Sequence, residues 1–103
     1  MDKLYNILQK IKKRPGHYLG IKSLTRLSAF ISGYEICIYE SGKKNGKLFN
    51  GFDAYIHERY GINTTHNAQE IVLFFAGLDE GLAFDRYFEL LEEFLKLHPE
   101  NLE

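Results

Sequence analysis

Four histidines, one cysteine and a run of closely spaced carboxylates are the groups from which this chain could assemble a reactive centre. His17, His57, His66 and His98 are scattered, whereas a zinc site needs three or four ligands at short fixed spacings. Cys37 falls on an apolar helical stripe, away from any histidine. Neither a metal nor another cofactor is expected. His57-Glu58-Arg59 supplies a base and an acid, but no nucleophile and orienting partner stand beside them. The phosphate-cradling patterns GxxxxGK[ST] and GxGxxG are absent. The reading is of a binding protein rather than an enzyme.

The carboxylates are more distinctive. Asp85, Glu89 and Glu93 are spaced by four residues, with Glu92 beside them and Asp79-Glu80 upstream. On a helix they share one face, and each like-charged pair costs about 0.2–0.5 kcal/mol. Only Glu92 with Lys96 is a favourable pair. An acidic face kept despite repulsion suits a basic protein partner, because complementary charge speeds encounter and selects partners. The plain alternative is a solvated helix face. Acid–base catalysis would need burial or a specific charged neighbour, which an open face lacks. The expected partner-binding residues are therefore Asp79, Glu80, Asp85, Glu89, Glu92 and Glu93, with Tyr87 at their margin and Glu58 as an addition.

A second constellation is basic. Lys10, Lys12, Lys13 and Arg14, with Lys43, Lys44 and Lys47, could contact phosphates, and Tyr18 could stack on a base. The alternative function is thus a nucleic-acid-binding or regulatory module using Lys12, Lys13, Arg14, Tyr18, Lys43 and Lys44. No known recognition motif accompanies them, and a helix-end charge cluster explains the first four equally well. The two constellations reflect a larger asymmetry. Residues 1–52 hold ten Lys/Arg and three Asp/Glu, a net +7, and residues 53–103 hold three and eleven, a net −8. Either one half meets a charged partner, or the halves face each other.

The elements that position these groups read as helices. Leu4, Ile7, Leu8 and Ile11 form one stripe, capped by Asp2 and stopped by Pro15-Gly16. Ser23 caps a second helix with small or apolar groups on both sides, which predicts the spine of the domain. Its Gly33 costs about 1 kcal/mol against Ala, which a closely approaching backbone would explain. Residues 41–47 read as an exposed basic loop. Phe49, Phe52, Ile56 and Tyr60 mark a third helix, with Gly61 as its C-terminal cap. Asn67 and Glu70 stand at capping-box spacing before the stripe Ala68, Ile71, Val72, Phe75. Residues 71–76 would also suit a buried strand, although the Ala-Gln-Glu lead-in favours a helix. Asp79 caps the last helix, whose stripe is Phe84, Tyr87, Phe88, Leu91, Phe94 and Leu95, and Pro99 closes it. The expected fold is a single all-α domain, an irregular bundle of about five helices over residues 1–103, with an α+β alternative if residues 71–76 form a strand.

With 45% hydrophobic residues, one domain of 103 residues can build a core without staples. A single cysteine cannot form an internal disulfide, and no apolar run approaches the roughly 20 residues of a membrane span. A soluble, cytoplasmic protein with no membrane partner is expected.

Lys13-Arg14-Pro15-Gly16-His17-Tyr18-Leu19-Gly20 locally resembles the KRPGMYIG segment of gyrase-B-type ATPase domains. The chain is too short for that domain and lacks its DxGxG segment, so the shared feature reads as a turn presenting Arg14, His17 and Tyr18. Over longer stretches the chain resembles small bacterial immunity-type proteins of polymorphic-toxin and contact-dependent growth inhibition systems. The segments that carry this are IKKRPGHYLG (11–20), SLTRLSAFISGYE (23–35), FNGFDAYIHERYGI (49–62) and FDRYFELLEEFL (84–95). The resemblance implies a cytoplasmic inhibitor that binds a cognate toxin domain, often a nuclease, and blocks it. A nuclease groove is basic, so an acidic surface could fill it. An interface of standard size buries about 1,600 Å² in total, which a domain this small can supply. Oligomeric state is not implied.

Overall fold

A computed structural model describes residues 2–103. The described residues form six α-helices and a closing 3₁₀ turn, with no strand among them. The helices are α1 (Lys3–Lys13), α2 (Pro15–Leu19), α3 (Leu24–Glu40), α4 (Phe52–Tyr60), α5 (Ala68–Phe75) and α6 (Glu80–Leu97), and the 3₁₀ turn is Pro99–Leu102. The all-α reading holds, and residues 71–76 are helical rather than extended. The additional helix is α2. Pro15-Gly16 predicts a helix stop, but at a first helical position proline loses no needed N–H and has the right φ. One helix therefore ends and a five-residue helix begins at the same place.

Local capping chemistry sets the helix starts. Asp2, Ser23, Asn67 and Asp79 each accept a hydrogen bond from the backbone N–H three residues on. Asn67 and Glu70 complete a reciprocal capping box. Gly61 ends α4 with a left-handed backbone, φ 67°. Gly51 precedes α4 at φ 85°, a left-handed turn that favours glycine, although a Cβ there would meet the Phe94 ring only at an ordinary contact distance of 3.9 Å.

The spine is α6, not α3. Ala83, Phe84, Tyr87, Phe88, Leu90, Leu91, Phe94 and Leu95 are all buried, and α3, α4 and α5 all pack on this helix. α3 buries only Leu24, Leu27 and Ile31, and its second half turns Ile36, Cys37 and Tyr39 to solvent. A Cβ at Gly33 would meet nothing within 4 Å, so no neighbouring backbone explains that glycine. An apolar or small far side therefore does not by itself bury a helix. α1 completes the core with Leu4, Leu8 and Ile11. At the C-terminus, buried Asn101 donates to the carbonyls of Leu48 and Asn50, at 3.2 and 3.0 Å, and holds the loop before α4.

Candidate functional site

The α6 carboxylates do not form a free anionic surface. Asp79 caps α6, accepting from Leu82 N at 3.0 Å. Glu80 accepts from Ser23 Oγ at 3.0 Å and from both the backbone N–H, at 2.8 Å, and the hydroxyl of Thr25. Burial pushes the Glu80 carboxyl up, but these donors outweigh it and hold the group below its ordinary range. Asp85 pairs with Lys22 at 2.9 Å, and Glu89 with Arg86 at 3.1 Å. Glu92 accepts from Tyr5 Oη at 3.2 Å and Gln9 Nε2 at 2.9 Å. Glu93 accepts from Tyr55 Oη and from Arg59 Nε, the latter at 3.0 Å, and both donors lower its pKa. These contacts tie α6 to α1, α3 and α4. Lys22 of the basic half meets Asp85 of the acidic half, and Asp85, Glu89 and Glu93 each have a cationic partner, while Asp79, Glu80 and Glu92 accept only from neutral donors. Exposed pairs of this kind contribute little stability, but each cancels a charge that a partner would otherwise meet.

Tyr87 is not at the margin of a surface. It is fully buried on the inner face of α6, edge-on to the Phe52 ring at 5.5 Å, so it cannot touch a partner. Its position was read correctly as part of the apolar stripe, and a stripe residue cannot also serve the opposite face. Glu58 is exposed on α4, with no hydrogen-bonded side-chain partner among the described residues.

The basic residues fall into two groups. Lys12, Lys13 and Arg14 are exposed at the C-terminal end of α1, near exposed Tyr18, whose ring meets His17 edge-on. Lys12 holds its ammonium 5.9 Å from the Phe88 ring centroid. Lys43 and Lys44 instead line a cavity of about 320 Å³ with Asp2, Lys3 and Leu4, at the opposite end of α1. Eleven helical residues separate the groups by roughly 16 Å, so they do not form one phosphate-binding patch. Half-buried Glu35 lines the same cavity, and burial pushes its carboxyl up.

His57 is a latch between α4 and the next loop. Its Nδ1 lies 2.7 Å from the Asp53 carbonyl and its Nε2 2.9 Å from that of Thr64. Asp53 in turn accepts from Ala68 N at 2.9 Å, fixing the start of α5. No cluster of three or more His, Cys, Asp or Glu that could hold a metal occurs among the described residues.

The surface that these contacts position was not foreseen. A groove of about 500 Å³ runs along α5 and the turn after it, floored by Ile62, Leu73, Phe74, Phe75 and Leu78. Phe74 is 69% exposed, Phe75 50% and Leu78 68%. The predicted stripe placed Phe75 in the core, but the last turn of α5 runs past it, where Phe75 stacks on Tyr60 with centroids 4.7 Å apart. Phe74 stands edge-on to Phe75. Five consecutive apolar residues on an eight-residue helix cannot all face inward, and that excess was the available signal. The turn itself is strained. Gly77 and Leu78 both have left-handed backbones, at φ 68° and 64°, and Leu78 is the one described residue other than glycine with positive φ. Leu78 N closes α5 by donating to Leu73 O at 3.0 Å.

No helix among the described residues is long and apolar enough to cross a membrane. Comparison with family models finds no match, and comparisons with curated proteins and with solved structures find none either.

Proposed function

We propose that this chain is an immunity-type inhibitor that works by docking on a toxin domain through the groove on α5. The single observation that carries this is Leu78, an exposed leucine kept in a left-handed backbone beside two exposed phenylalanines. Left-handed geometry costs a non-glycine residue roughly 1–2 kcal/mol. Glycine would relieve that cost, so a leucine there needs a use outside the fold. A contiguous exposed aromatic patch supplies the use, because such patches mark interaction sites. The class of partner comes from the resemblance of segments 11–20, 23–35, 49–62 and 84–95 to immunity-type proteins. Binding rests on apolar anchors, since the α6 carboxylates are engaged within the molecule.

The test is to look for a toxin domain encoded beside this gene and to measure protection of growth in cells that express it. The wild-type chain should protect. The double variant Phe74→Ser/Leu78→Ser should fold and fail to protect, while Glu89→Lys/Glu93→Lys should still protect. Protection by the first and failure of the second would return the role to the acidic face.

A further inference from the structure

The groove has a definite charge character. Thr64, His66 and Glu70 rim it, Glu70 is the one carboxylate, and no lysine or arginine lines it. Glu70 Oε1 accepts from Asn67 N at 3.1 Å in the capping box, and its second oxygen has no hydrogen-bond partner among the described residues. The area is limited as well. Two phenylalanines and one leucine at these exposures offer roughly 350 Å², against about 800 Å² per partner in a standard interface. The small area favours a short foreign segment over a second copy of this chain, and the lone carboxylate favours one that carries a cation.

We infer that the α5 groove receives a short apolar segment of the partner bearing a lysine or arginine, with Glu70 as the acceptor for that cation. The inference rests on the docking role proposed above and adds the chemistry of the docked segment. Apolar contact with Phe74, Phe75 and Leu78 supplies affinity, and Glu70 supplies the choice among apolar segments.

Glu70→Gln isolates the charge, because glutamine also satisfies a capping box. The probes are two synthetic twelve-residue helical peptides with the same leucine stripe, one with lysine and one with glutamate at its polar positions. Binding is followed by amide chemical shifts in the full chain at fixed salt. The lysine peptide should move the amides of Glu70, Phe74 and Leu78 and bind at least fivefold more tightly than the glutamate peptide. Glu70→Gln should bring the two within twofold, and Phe74→Ser/Leu78→Ser should abolish both. Equal affinities in the wild type, or a preference untouched by Glu70→Gln, would overturn the role of the cation and leave docking intact. Shifts confined to other surfaces would overturn the docking role itself. Concentration-dependent dimerisation of the wild type, lost in Phe74→Ser/Leu78→Ser, would make a second copy the occupant and overturn the inference.

Discussion

Two residues carry energetic statements that can be checked one atom at a time. The Tyr87 hydroxyl is the one buried side-chain polar atom without a hydrogen-bond partner among the described residues. Burial first, then the Asp53 and Glu35 charges, push its pKa far up, so it stays neutral at any ordinary pH. An unsatisfied buried hydroxyl costs about 1–3 kcal/mol, so Tyr87→Phe should raise the unfolding free energy by roughly 1 kcal/mol. Urea titration at neutral pH measures this, and a destabilised variant would reveal a partner for the hydroxyl. Leu78 makes the complementary case. Leu78→Gly should relieve the left-handed strain and stabilise the fold by up to about 1 kcal/mol, reduced by glycine's extra freedom when unfolded. It should also weaken partner binding at least tenfold. Gain of stability with loss of binding, read by thermal melting and calorimetry on one sample, separates a functional residue from a structural one.

Among the elements, the join between α3 and α6 is electrostatic as well as apolar. Glu80 lies at the start of α6 and gathers three donors from the start of α3. Its pKa is lower folded than unfolded, as is that of Glu93, so the unfolded chain binds protons more readily. Their stabilisation is complete above the ordinary carboxylate value near 4.5 and is lost as pH falls through the lower folded values. Glu80→Gln should lower stability at pH 7 by about 1 kcal/mol. It should also narrow the difference between pH 7 and pH 3, measured by urea midpoints at both. The caps at Asp2, Ser23, Asn67 and Asp79 were legible because capping is decided within four residues. The rank of α6 over α3 was not, because both carry enough apolar residues to be central and only packing chooses between them. α2 escaped notice because proline can both stop one helix and start another. The groove was hidden because periodicity places Phe75 on the inner stripe, while the length of α5 carries it past the core.

At the scale of the molecule, one ion pair, Lys22 with Asp85, and neutral hydrogen bonds join the basic half to the acidic half. Lys22, Tyr5 and Gln9 from the basic half meet Asp85 and Glu92 from the acidic half, and Arg59 and Arg86 meet Glu93 and Glu89. Sequence counts show the +7 and −8 halves but not their juxtaposition. Arg59 and Arg86 are already counted in the −8, so the acidic half keeps its net charge; association through that half would weaken with salt, whereas docking through the apolar groove should depend weakly on salt. In the proposed docking, specific recognition falls to the apolar surface of α5 and its following turn. The most direct measurement is calorimetric titration of the proposed partner, a toxin domain if one is found encoded beside this gene, into the wild type, Phe74→Ser/Leu78→Ser and Glu89→Lys/Glu93→Lys. A loss of at least a hundredfold in the first variant, with less than a fivefold change in the second, is the expected result. Unchanged affinity in the first and a collapse in the second would contradict docking through the groove.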